Sequence, residues 1–221
     1  MYSAIARQGY THVIVLMIAE CLSSANNLMR LAAEEHPELT VKVFDSKSAS
    51  IGLGALAVQV ARYAVRGVAF DPLCELTKRL IDDTVVYFSL DTLEYLQRGG
   101  RIGRATALAG GLLQIKPILT FDRKDGMIST AAKVRGRRGV QQRLIELATE
   151  LAAKHPGEEY NLVVCDGNVP EEGAALEAAL TCALPNAHRV LHGKIDATLA
   201  VHLGPNLLGV GVQFLNSKLP A

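Results

Sequence analysis

An α/β chain of two domains is predicted, a parallel βαβ sheet over residues 1–84 and a mixed α+β layer over 85–221. Three observations carry that prediction. Two short, continuous apolar runs, HVIVLMIA at 12–19 and VKVFD at 41–45, alternate with helical stretches, as strands buried on both faces of a parallel sheet do. Beyond residue 84 the strands and helices alternate less regularly, and PILTFD and MISTAAKVR flank the turn RKDG as a β-hairpin. Finally, 221 residues at 49% hydrophobic can bury a sizeable core, and with no Trp and few aromatics that core is aliphatic.

The elements follow in order. Residues 2–8 read as a helix ended by Gly9, and 12–19 as the first strand. CLSSANN leads into a helix, LMRLAAEEHP, stopped near Pro37, and 41–45 is the second strand. The small-residue loop SKSASIGLG precedes a helix over 53–66 closed by Gly67. The next helix is expected to open with Asp71 as N-cap and Pro72 at its first position. VVYFSL at 85–90 is a strand. Asp91 and Glu94 have capping-box spacing ahead of a short helix that Gly99 and Gly100 stop. A helix over 105–113, the hairpin, an amphipathic helix over 140–154, a strand at 161–166 and a helix over 170–183 follow. Residues 188–215 read as strands and turns.

The net charge of +1 conceals an asymmetry. Between Arg98 and Arg143 eleven Lys or Arg face only Asp122 and Asp125, a local charge of +9 that leaves −8 for the rest. Such a zone attracts an anionic surface without naming it. LQRGGRIGR at 96–104 opens the zone. A single copy between two helices, with no interleaved aromatic, argues against nucleic acid, because RGG-type segments that bind RNA are repeated and lie in disorder. A docking face for an acidic protein and a plain solvated face are the stronger readings. Cys21, Cys74, Cys165 and Cys182 have no CxxC pairing and no His at zinc spacing, so they are expected to be reduced. No metal-ligand cluster is expected. With no signal peptide and no bilayer-length apolar run, the expected location is the cytoplasm, without stable membrane anchoring.

Four places could carry chemistry. Ser23 and Ser24 stand between a strand's C-terminal end and a helix start, where backbone N–H groups and the helix dipole favour an anion. One of them could equally be a plain N-cap. DSKSASIGLG occupies the same kind of position after the second strand, and reads as a structural loop because it is neither GxGxxG nor a phosphate loop. His202, expected after an apolar strand and before Gly-Pro, could donate to a ligand or be a satisfied structural histidine. The basic zone is the fourth. An independent enzyme, a phosphotransferase or esterase at Ser23 and His202, stays open as an alternative, and so does a nucleic-acid or regulatory module using residues 98–143. Against the enzyme stands the lack of a GxSxG elbow or an acid that orients His202.

LDTLEYLQRGGRIGRATALAGGLLQIKPIL, DGMIS, KVRGRRG, the late HLGP and DSKSASIGLG in the first half together resemble the signature of the DegV family, bacterial fatty-acid-binding proteins. The resemblance runs from about residue 2 to 214. It implies two α/β domains with a fatty acid between and within them, and no cofactor besides that ligand. The carboxylate is expected at Ser23, Ser24 and His202, and the acyl chain near Leu112, Ile115 and Ile118. It also implies a partner, a dihydroxyacetone-kinase-like fatty acid kinase that phosphorylates the presented carboxylate to acyl phosphate for phospholipid synthesis. The binding protein does no chemistry of its own, and Arg101 and Arg135 are the expected docking residues. Two departures from the family pattern follow. About seventy residues of the family, including an opening strand and a TS-type motif, are expected ahead of Met1. The serine-rich turn S-S-x-L-S-G-T is represented only by Leu22 and Ser23, with Glu20 placing a negative charge nearby.

Overall fold

The computed structural model describes residues 1–108 and 115–215. In its first part, β1 (His12–Met17) and β2 (Thr40–Asp45) pair in parallel, His12 opposite Thr40. Alternate residues of these strands face opposite sides. Val13, Val15, Val41 and Val43 pack under α1 (Tyr2–Arg7) and α2 (Ala25–Glu34), while Ile14 and Leu16 pack under α3 (Ser50–Val65) and α4 (Phe70–Asp82). Helices on both faces explain why these strands read as continuous apolar runs.

The second sheet has six strands in the order β5-β4-β3-β8-β6-β7. They are β3 (Thr84–Ser89), β4 (Ile115–Phe121), β5 (Ile128–Arg135), β6 (Glu159–Asp166), β7 (Arg189–Lys194) and β8 (Leu208–Leu215). Only β6 and β7 run parallel; β8 lies antiparallel between β3 and β6. One face buries Leu208, Val210, Val212 and Phe214 of β8 under α6 (Gly136–Ala153) and α7 (Pro170–Ala183). The other face carries Val86, Phe88, Val163 and Cys165 and receives Ile51 and Ala55 of α3. Helix α3 therefore lies between both sheets, since its Leu56, Val60 and Tyr63 belong to the core with α4. A buried amide chain secures the junction: Asn161 Nδ2 donates to Gln213 Oε1 at 3.0 Å and to Gln59 Oε1 on α3 at 3.3 Å.

Several local expectations need correction. Asp71 does not cap α4; Ala69 holds that position and Asp71 sits in the first turn, where its charge still suits the helix dipole. Asp91 does not cap α5 (Glu94–Arg98) either. It accepts Asn206 Nδ2 at 2.7 Å and Lys116 Nζ at 3.3 Å, and the Glu94 N–H donates to Thr92 Oγ1 instead. Burial alone would raise the Asp91 pKa, but these two hydrogen bonds more than offset it and hold the carboxyl below its usual range. A 3₁₀ turn, Gly103–Leu108, stands where a longer helix over 105–113 was expected, and 109–114 lie outside the described residues. Helix α6 begins four residues before the expected start.

The largest correction is α8 (Ala197–Leu203), a helix within a stretch read as strands and turns. Its signals were present. The Asp196 carboxylate accepts the Leu199 N–H at 3.0 Å as an N-cap, and Gly204 at φ 71° ends the helix ahead of Pro205. The Leu and Val content of the segment masked them. No described helix is long and apolar enough to cross a membrane.

Candidate functional site

An apolar cavity of about 300 Å³ opens where the two sheets meet around α3. Its floor is the α3-facing side of the large sheet, with Val86, Phe88, Phe121, Ile128 and Cys165. Ile18, Leu22 and Ser23 come from the loop after β1, and Ala49, Ser50 and Ile51 from the start of α3. Thr198, Leu199, His202 and Leu203 of α8 close another side. Among the described lining residues there is no Asp or Glu.

Local sequence explains how the two loops hold their places. Asp45 Oδ1 accepts the backbone N–H of Lys47 at 2.9 Å and of Glu20 at 3.2 Å, tying the ends of β1 and β2 together. Ser46 Oγ donates to Ser48 O and accepts the Ser48 N–H, so the DSKS turn satisfies itself. Lys47 and Ser50 take positive φ of 50° and 52°, strained for non-glycine residues, and Ser50 lies in the cavity wall. Buried Asn26 donates to Ile18 O at 2.7 Å and anchors the other loop. The hairpin tip then docks on both. A Cβ at Gly126 would lie 2.8 Å from Ala19 Cβ and 3.0 Å from Lys47 Cα.

Of the expected carboxylate residues, Ser23 and His202 line this cavity and Ser24 does not. Ser24 is exposed at the N-cap of α2, and Ser23 Oγ accepts the Ala25 N–H at 3.3 Å. His202 sits on a helix, not after a strand, and its Nδ1 is buried with no hydrogen-bond partner among the described residues. Two glycines make room for the His202 and Tyr95 rings. A Cβ at Gly99 would lie 2.4 Å from His202 Nδ1, and one at Gly204 would lie 2.5 Å from the Tyr95 ring. Helices α5 and α8 thus interlock, each receiving the other's ring over a glycine. In LQRGGRIGR, Gly99 is needed for space, Gly100 for φ 68°, and Gly103 for close approach to the Ile128 backbone.

Arg101 lines the cavity at an exposed rim, donating from Nε to Leu22 O at 3.2 Å and from Nη1 to Gly99 O at 2.7 Å. These bonds bring the Ser23 loop, Arg101 and His202 to one end of the cavity. Arg135 stands apart at the N-cap of α6 and is not in the wall. Glu20 pairs with Arg30 and leaves the cavity free of its charge. The basic zone is also less bare than its sequence. Arg98, Arg104, Lys116, Arg137 and Arg143 each form ion pairs, several with acids from outside the zone.

Of the expected acyl-chain residues, neither Ile115 nor Ile118 lines the cavity. Ile118 is fully buried on the opposite face, against α6, because its neighbour Leu119 takes the α3 side. Ile115 is 42% exposed, and Leu112 lies outside the described residues. The floor residues Val86 and Phe88 were legible as alternate positions of a strand. Ser50 lies in DSKSASIGLG, which read as a structural loop, and Thr198 and Cys165 had no local signal. Burial pushes the Cys165 thiol up to about 12, so it lines the cavity uncharged. Among the described residues no three His, Cys, Asp or Glu side chains converge as a metal site would require.

Comparison with known proteins bears on this cavity. Residues 1–215 match the family described as uncharacterised protein, DegV family. A DegV domain-containing protein of Clostridium acetobutylicum is 34% identical over 211 residues, which are 95% of this chain and 73% of the relative. A solved DegV family protein of Thermus thermophilus, described by its fatty acid binding, superposes with a TM-score of 0.88 at 28% identity, covering 97% of this chain and 76% of that one. A stearic acid-binding protein of Eubacterium ventriosum superposes with a TM-score of 0.84 at 26% identity, covering 96% and 73%. With the family match spanning residues 1–215 and solved relatives superposing over nearly the whole chain, the chain belongs to the DegV family.

Proposed function

We propose that this protein binds a long-chain fatty acid in the cavity and presents its carboxylate to a dihydroxyacetone-kinase-like fatty acid kinase, which forms the acyl phosphate. The binding protein itself supplies no chemistry. One observation carries the reading: an apolar cavity, with no acid among its described lining residues, carries Ser23, Arg101 and His202 in its wall. Apolar walls suit methylenes. Each buried methylene contributes about 0.8 kcal/mol gross, part of which offsets ordering and carboxylate desolvation. At the polar end, the N-terminus of the 16-residue α3 begins in the wall and adds its positive dipole end to the Arg101 charge. The solved relatives described as fatty-acid-binding support the same ligand.

An enzyme at Ser23 and His202 is less well supported, because Ser23 Oγ accepts the Ala25 N–H and no acidic residue among those described lines the cavity to orient His202. Native mass spectrometry with solvent extraction tests the proposal. A stoichiometric acyl chain, reduced in Ser23→Ala, is expected; a folded protein that takes up no fatty acid refutes it. Arg135→Glu, which leaves the cavity wall untouched, should weaken retention on an immobilised kinase of this class while lipid content stays constant. Unchanged retention would remove Arg135 from the docking face.

A further inference from the structure

The depth of the cavity is set by a position that does not line it. Strand β8 runs between β3 and β6, and its Gly209 stands opposite Phe88 on one side and Cys165 on the other. All three are on the α3 side of the sheet, since Leu208 and Val210 face α6 and α7. A Cβ at Gly209 would lie 2.7 Å from Cys165 Sγ and 3.3 Å from Phe88 Cβ. The Cys165 sulfur therefore occupies the space that any other residue at 209 would need. Cys165 and Phe88 are also floor residues of the cavity.

Resting on the fatty-acid reading above, we infer that Gly209 and Cys165 together determine the length of acyl chain the cavity admits. Gly209 lets Cys165 sink into the sheet and keeps the floor low. A side chain at 209 lifts the sulfur, and Phe88 with it, toward the ligand. The sheet prevents the alternative, because Gly209 is held by ladder pairing on both edges and its backbone cannot retreat. The scale follows from volume. An apolar cavity of ~150 Å³ takes one benzene, so about 300 Å³ takes roughly twelve carbons. At that size the displacement of a single sulfur changes capacity by about one carbon, and each excluded methylene weakens binding roughly fourfold.

The experiment is competition binding of saturated fatty acids from twelve to eighteen carbons to wild type, Gly209→Ala, Cys165→Ala and the double variant, with thermal melts of each. Gly209→Ala should shift the preferred chain to shorter acids and Cys165→Ala to longer ones. The double variant should return close to the wild-type profile, because the sulfur no longer needs the space. If Gly209→Ala does not fold, the shift in Cys165→Ala alone decides. Folded variants that bind every chain length in wild-type proportions overturn the inference and leave fatty-acid binding intact. A wild-type protein that takes none of the acids overturns both.

Discussion

Gly99→Ala offers a direct test of how the polar end of the cavity is built. Gly99 follows α5 at φ −75°, a conformation any residue adopts, so its backbone does not require glycine. The space above it does. The added methyl would meet His202 Nδ1 at 2.4 Å, His202 Cε1 at 3.2 Å and the Tyr95 carbonyl oxygen at 3.1 Å. The carbonyl belongs to the backbone of α5 and is fixed, so the imidazole must yield, by about 1 Å to reach ordinary contact. Overpacking of this kind costs about 1–3 kcal/mol, and in a chain of this size each kcal/mol lowers Tm by roughly 2–4 °C. Gly100→Ala is the matched control. Its φ of 68° costs an alanine about 1 kcal/mol, but nothing lies within 4 Å of the new methyl. Both variants should therefore melt earlier, and only Gly99→Ala should lose the rise in Tm on adding fatty acid, since that rise reports ligand affinity. Equal ligand-induced shifts in the two variants would refute the assignment of Gly99 as the seat of the His202 ring.

Three further outcomes are expected. Burial disfavours the charged His192 imidazole, but hydrogen bonds to Glu177 and Asp166 more than offset it, so its pKa is raised. Its contribution is then fully present below the unfolded value near 6.5 and is lost as pH rises through the folded pKa. Urea melts of His192→Gln against wild type from pH 5.5 to 8.5 should show a difference that shrinks with pH, and one that grows toward alkaline pH would contradict the arrangement. Ile118→Ala should cost about 2–5 kcal/mol as a fully buried deletion yet leave fatty-acid retention unchanged, whereas Phe121→Ala should reduce retention; lipid loss in Ile118→Ala would reverse the assignment of faces. In the native protein a thiol reagent should modify Cys21 and Cys182, which are exposed, well before Cys74 and Cys165, and denaturant should release all four.

The sequence by itself determined the kind of layer each half would build. The β-branched runs at 12–17 and 40–45 can satisfy their apolar side chains only between two helical layers, and that is where they lie. It also determined the family, because LQRGGRIGR and HLGP require glycines at particular backbone positions and those requirements are written in residue identity. Ser23 and His202 stood out for the same reason, each a polar residue beside a turn or an element's end, and both line the cavity, whereas Arg101, expected on a docking face, lies at the cavity rim. The rest of the cavity lining was not legible. Ile118 and Leu119 are chemically alike neighbours, and only the pleat and the bulge in β4 decide which of them faces α3. Helix α8 carried its caps in the sequence, but Val and Leu content favoured a strand until packing against α5 settled the matter. Arg101 reaches Leu22 across 79 residues, and Gly209 meets Cys165 across two strand pairings. Such contacts depend on register and on the placement of α3 between two sheets, which no local pattern encodes. Composition and turn chemistry are local and survive in the sequence, whereas the shape of a cavity belongs to the distances between elements, and those exist only once the chain is folded.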